Sequence, residues 1–213
     1  MLMADIILFT IAGRAVSLVE LVSTLLGLSC VFLAGRGKVA NFWLGYVYNI
    51  LLFILVAQKN LYFSMALQPV SFTINAIGHY RWTHPSKDMA DKRGELKISS
   101  IPTKKSIIFI VSAAALTLVL GWAMKTTSGL RPDIVAPASL PYLDAFKIIA
   151  ILSAQYLSAH KKIECWYVWI VANTTNIILY ILSGLFLMPL VTAVYLTLAI
   201  IGLRNWRKKM KEQ

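Results

Sequence analysis

"SIIFIVSAAALTLVLGWAM", residues 106–124, runs for nineteen residues without a charge. As a helix it spans roughly 30 Å, the thickness of a bilayer's hydrocarbon core. It stands apart from its neighbours, between the charged stretch 81–105 and the stretch 125–141, where Pro132, Pro137 and Pro141 exclude regular helix along most of the length. Three further apolar runs of span length lie before it, near 15–34, 40–57 and 61–80, and three after it, near 141–159, 165–182 and 185–203. All seven are read as helices, joined elsewhere by connections as short as "AGRGK", "AQKN", "SAHKK" and "SGL".

The whole chain agrees with that reading. With 58% apolar residues, 14% charged and a mean hydropathy of +0.70, it lies outside the range of soluble domains and is read as an all-α polytopic membrane protein, a single transmembrane domain over 1–213. The net charge of +12 does not indicate nucleic acid, because Lys and Arg fall between the apolar runs and act as topology signals. With the N-terminus outside, sixteen of the twenty-one lie inside, against Arg14, Lys59, Lys125 and Arg131 outside, and Lys147 lies within the fifth span. The expected orientation is N-out, C-in. The start, "MLMADIILFTIAGR", has no basic n-region or small-residue cleavage site and is expected to form a short interfacial helix. Cys30 and Cys165 show no CxxC spacing and read as inert buried thiols.

The isolated run matters because of an internal repeat. Residues 20–82 laid on 144–206, a constant offset of 124, agree at fourteen of sixty-three positions; roughly six are expected by chance in a chain this apolar. Glu20 meets Asp144, Lys38 meets Lys162, Asn49 meets Asn173, and "IGHYRW" meets "IGLRNW". Each unit holds three helices, repeat one at 15–82 and repeat two at 141–206. A three-span unit ends on the opposite side of the membrane, so two such units run parallel only if an odd number of spans separates them. The run at 106–124 is that linker, and the expected architecture is three plus one plus three.

Parallel repeats about an axis along the membrane normal point to a transporter with its substrate near the midplane. Seven-span receptors carry no such repeat, and a retinal protein needs a lysine in the last span, which has none. No HExxH, GxSxG or paired intramembrane aspartates accompany His79, His84 and His160, so no enzyme, metal or cofactor chemistry is indicated.

The polar groups inside the spans then mark the path, because hydrogen-bonding groups in hydrocarbon need partners. In "ECWYVWIVANTTN", Trp166, Trp169, Asn173 and Asn176 are spaced three, four and three, which aligns them on one helical stripe. Two indoles followed by two carboxamides can stack a flat ring and bond the groups attached to it. Alternatively, Trp166 belongs to an aromatic belt and the asparagines join helices. Gln68, Asn75 and His79 form a second stripe, Asn49 occupies the repeat position of Asn173, and Gln155 is a carboxamide well inside the fifth span. Asp144 and Lys147, three apart, are expected to pair on one face, a structural neutralisation rather than proton coupling.

"WYVWIVAN" followed by "GLFLMPLVTAVYLTLAIIGLRNW", together with "GKVANFWLG", "LYFSMALQPVSFTINAIGHYRW" and "LDAFKIIAILSAQYLSAHKKIECW", resembles the PnuC family of bacterial vitamin transporters over about residues 17–207. The resemblance implies an inner-membrane facilitator with a SWEET-like 3+1+3 fold, often a homotrimer. It would take up an unphosphorylated vitamin that a cytoplasmic kinase then traps. Nicotinamide riboside is the first expected cargo; thiamine, riboflavin, a deoxynucleoside or, outside vitamins, a sugar are the alternatives. By the motif W-x-x-W-x-x-x-N, a substrate role carries over to Trp166, Trp169 and Asn173, and it extends to Gln68, Asn75 and Gln155. Two departures stand out: His79 replaces a usual tryptophan, and Thr174, Thr175 and Asn176 follow Asn173 where apolar residues and a serine are usual.

Overall fold

A computed structural model of the chain describes residues 6–11, 14–58, 62–130, 140–182 and 187–213. The connections at 59–61, 131–139 and 183–186, with Lys59 and Arg131, lie outside the described residues. Seven long helices are described: α1 (Leu18–Gly35), α2 (Ala40–Gln58), α3 (Tyr62–Thr83), α4 (Thr103–Leu130), α5 (Pro141–Ala159), α6 (Glu164–Leu182) and α7 (Leu187–Glu212). Among the described residues α1, α2, α4 and α7 are each long and apolar enough to cross a membrane unaided. The remaining three are of similar length, 22, 19 and 19 residues.

Two expectations need correction. The segment before α1 is not a helix but an antiparallel hairpin, β1 (Ile7–Ile11) with β2 (Arg14–Ser17). Ile6, Ile7, Thr10 and Ile11 are β-branched and favour extended backbone. Helix α1 is capped by Ser17, whose hydroxyl accepts from Glu20 N at 3.2 Å while the Glu20 carboxylate accepts from Ser17 N at 3.4 Å. Glu20 is thus half of a capping box. The second correction concerns α4, which extends beyond 106–124 at both ends and includes Lys125, Thr126 and Thr127. Charged and hydroxyl residues are tolerated in a helix once it has left the hydrocarbon.

The helices pack in a closed ring, α1 on α2, α2 on α3, α3 on α5, α5 on α6, α6 on α7 and α7 back on α1. Helix α4 lies outside this ring against α5 and exposes Ile107, Ile108, Val111, Leu118 and Trp122. An exposed face this apolar is suited to lipid.

Residues 124 apart make the same contacts where the two trios meet. Trp82 Nε1 donates to Ser158 O at 3.2 Å, and Trp206 Nε1 donates to Ala34 O at 3.0 Å; both donors and both acceptors are offset by 124. The turns after α1 and α5 match bond for bond, since Gly37 N donates to Ala34 O, and Lys161 N to Ser158 O, at 2.9 Å. Both turns need left-handed backbone, which Gly37 adopts at φ 72° and Lys161 at φ 50°. Lys161 is held there by burial, with its ammonium 4.7 Å from the Trp82 ring and 3.8 Å from Glu95. Burial pushes the Lys161 ammonium below its usual pKa, against the upward pull of Glu95.

The core sits at this end of the ring, which also carries Arg36, Lys161 and the basic tail. Leu96 and Ile98, from the connection after α3, are buried there beside Leu157, Ile163, Trp82 and Trp206. Ile101 N donates to Glu164 Oε1 at 2.9 Å and Ile98 N to Gln213 Oε1 at 3.1 Å, so this connection is stitched to the start of α6 and to the residue after α7. Near the opposite end Lys147 and Asp144 pair at 2.5 Å, as their spacing predicts.

Candidate functional site

Inside the ring lies a cavity of about 410 Å³, lined by residues of all six ring helices and none of α4. Its size falls in the range of small-molecule sites, roughly 300–1,000 Å³. Seven of the nine residues singled out in the sequence line it: Asn49, Asn75, Gln155, Trp166, Trp169, Asn173 and Asn176. The other two do not. Gln68 faces a smaller cavity of about 220 Å³ between α2 and α3, which Asn49 shares. His79 lies outside both, stacked on Phe42 at 5.7 Å, edge-on to Trp43 at 4.9 Å, and with Nδ1 3.1 Å from the Tyr46 hydroxyl.

Four rings close the cavity at the basic end. Phe42 meets Trp82 edge-to-face at 5.0 Å, Trp82 meets Trp206 at 5.9 Å, and Trp206 meets Trp166 edge-to-face at 5.4 Å. Phe42 and Trp166 are offset by 124, as are Trp82 and Trp206. Two glycines make room for this floor. A Cβ at Gly78 would come within 2.6 Å of the Phe42 ring, and one at Gly202 within 2.5 Å of the Trp166 ring. Trp166 is therefore a floor residue rather than part of an aromatic belt, and it is only 1% exposed.

Above the floor the polar groups divide into two sets. On α2, α3 and α5 they have hydrogen-bond partners within their own wall. Asn75 Nδ2 donates to Phe42 O at 2.9 Å across the notch left by Gly45, and Ser71 Oγ lies 2.9 Å from both Asn49 Oδ1 and Gln155 Oε1. On α6 they do not. Trp166 Nε1 and Asn176 Oδ1 are buried with no partner among the described residues, and Asn173 makes no side-chain hydrogen bond to a described residue. Burying such groups unpaired is costly, on the order of 1–3 kcal/mol each, so a cavity lined by them is suited to a ligand with polar groups. Trp169 supplies an aromatic ring on the same helix. Of the three polar residues in "TTN", only Asn176 lines the cavity; Thr174 is exposed and Thr175 bonds back to Val171 O.

Sequence reasoning missed Ser71, Tyr48, Thr192 and Tyr195, which also line the cavity. Ser71 was within reach, since 68, 71 and 75 are spaced three and four and share the second stripe. Tyr195 occupies a notch at Gly27, and its hydroxyl donates to Thr24 O at 3.4 Å.

Comparison with known proteins adds to this geometry. The profile of the nicotinamide mononucleotide transporter family matches residues 17–208. The nicotinamide riboside transporter PnuC of Escherichia coli (strain K12) is 28% identical over 218 residues, covering 94% of this chain and 90% of that protein. The riboflavin/roseoflavin transporter RibM of Streptomyces davaonensis is 22% identical over 187 residues, 88% of this chain and 83% of its own length. Among solved structures, the crystal structure of the vitamin B3 transporter PnuC matches with a TM-score of 0.66 over 90% of this chain and 81% of that one; at 22% identity the likeness is one of fold.

Proposed function

Because the chain belongs to the nicotinamide mononucleotide transporter family, we propose that it is an inner-membrane facilitator taking up an unphosphorylated vitamin, nicotinamide riboside first. It is a membrane transporter and not an enzyme. The observation that carries the cargo assignment is the α6 face. The Trp169 ring lies on the same cavity wall as a buried indole N–H and carboxamides without partners, a set suited to a flat ring bearing polar substituents.

The two departures from the usual motif make thiamine the runner-up cargo. His79 stands outside the cavity, so the tryptophan missing there does not thin the lining, and only Asn176 remains in favour of a more polar cargo. The reciprocal Trp82 and Trp206 contacts and the matching turns support two parallel three-helix repeats with α4 as linker, the SWEET-like 3+1+3 arrangement. The concentration of Lys and Arg at one end supports N-out, C-in. In the same reading the protein assembles as a homotrimer, and a cytoplasmic vitamin kinase draws net uptake by phosphorylating the cargo.

Titrating the purified protein with nicotinamide riboside, thiamine and glucose, read by tryptophan fluorescence, tests the assignment. Saturable quenching by nicotinamide riboside alone is the expected result. A response to glucose with none to either vitamin overturns the class, and proteoliposomes that accumulate the riboside above its external concentration without a kinase overturn facilitation. Reporters near Lys92 and after Gln213 should face the cytoplasm, and one near Thr127 the periplasm.

A further inference from the structure

The α2–α3–α5 wall of the cavity is organised by a single hydroxyl. Ser71 Oγ sits 2.9 Å from Asn49 Oδ1 and 2.9 Å from Gln155 Oε1, and Ser71 and Asn49 are both buried. A serine hydroxyl carries one proton and can accept through its lone pairs. It can therefore donate to only one of these carbonyl oxygens at a time. The second carboxamide completes the network by a half-turn about its last torsion, which leaves its shape unchanged and brings its NH2 to Ser71 Oγ. The result is a directional chain, from the NH2 of one carboxamide to the Ser71 oxygen, and from the Ser71 O–H to the carbonyl of the other.

Direction fixes what remains for the cavity, which all three residues line. The carboxamide that gives its N–H to Ser71 keeps its carbonyl oxygen for a ligand, and the one that accepts from Ser71 keeps its NH2. Reversing the chain exchanges the two roles but never yields two donors or two acceptors. We infer that Ser71 is a positioning residue that makes this wall select a ligand group bearing both an acceptor and a donor, a primary carboxamide, over the corresponding carboxylate. A carboxylate only accepts, and it would leave the wall's own acceptor without a partner. The inference rests on the riboside reading above and adds what part of the cargo this wall reads.

Binding of nicotinamide riboside and of nicotinic acid riboside is measured on the wild-type protein, Ser71→Ala and Ser71→Thr. The amide-over-acid preference should fall about tenfold in Ser71→Ala, the order expected for a lost buried hydrogen bond, and be kept in Ser71→Thr, which retains the hydroxyl. An unchanged ratio in Ser71→Ala overturns the inference, as does an equal loss for both ligands accompanied only by a lower melting temperature. A ligand-free measurement tests the chain itself: the effects of Asn49→Leu and Gln155→Leu on melting temperature should be non-additive with Ser71 present and additive in Ser71→Ala. Additivity with Ser71 present overturns the chain. Coupling in a protein that binds neither riboside overturns the cargo reading, and with it the carboxamide assignment, while the directional chain stands.

Discussion

The first three ring helices and the last three are built alike at one end and used differently in the middle. At the basic end each trio closes with a tryptophan that donates to the other trio's first helix, each makes the same left-handed turn, and each needs a glycine where a ring passes. Midway along, Asn49 and Asn173 occupy equivalent positions, yet Asn49 is bonded to Ser71 whereas Asn173 makes no side-chain hydrogen bond to a described residue. Satisfied polar groups hold helices together, while unsatisfied ones are available to a ligand. The contacts at the basic end are thus alike in the two trios, whereas midway along the polar groups of α2, α3 and α5 are bonded within their wall and those of α6 are not.

If the basic end is symmetric, damage to it should be symmetric. Trp82→Ala and Trp206→Ala each remove a buried indole and its hydrogen bond, and each should lower stability by about 3–5 kcal/mol, seen as similar drops in the melting temperature of the detergent-purified protein. One variant folding nearly as well as wild type would break the equivalence. A smaller, paired effect is expected at the notches. Gly78→Ala and Gly202→Ala push a methyl into Phe42 and Trp166 respectively, and each should cost about 1–3 kcal/mol. The second should also disturb ligand binding, because Trp166 has an unpartnered indole N–H and Phe42 has none.

The division of labour is tested at the equivalent asparagines. Asn173→Leu should weaken nicotinamide riboside binding by about 1–3 kcal/mol and leave the melting temperature close to wild type. Asn49→Leu removes one of the two partners of Ser71, which keeps Gln155, and should lower the melting temperature by a comparable free energy. Calorimetric titration and thermal melts on both variants decide the matter, and a melting loss at Asn173 with affinity intact would make α6 structural.

The sequence displayed the helices because each apolar run is long, and its offset of 124 coincides with paired contacts of Trp82 and Trp206 and paired notches at Gly78 and Gly202. Helix ends were less legible. Lys104, Lys105 and Lys125 lie in α4 but fall outside the apolar run, since hydropathy reports the membrane and not the helix. The N-terminal hairpin was masked by its apolar composition, which suits an interfacial helix equally well. Leu96 and Ile98, buried in the core, were obscured by the charges around them, although the alternation Glu95, Leu96, Lys97, Ile98 is a strand-like pattern. In the cavity, carboxamides and indoles are conspicuous against hydrocarbon. Ser71 and the tyrosines are not, because a serine or tyrosine on a span more often bonds to its own helix or packs as an apolar ring.

His79 allows the smallest effect to be expected and the finest test of where the cavity wall ends. It departs from the family's usual tryptophan, which in the sequence suggests a changed cargo. In the structure its ring lies between Phe42, Trp43 and Tyr46 and does not line the cavity. His79→Trp should therefore change nicotinamide riboside affinity by no more than about 0.5 kcal/mol, the scale of a substitution away from any binding feature. Any change in melting temperature would reflect the lost contact to Tyr46 and the larger ring beside Phe42. Phe42 is a route by which the substitution could reach the cavity, since it stacks on His79 and lines the floor. A shift of more than tenfold in affinity, or a switch of preference from the riboside to thiamine, would mean that this floor ring transmits the identity of its outer neighbour to the cavity.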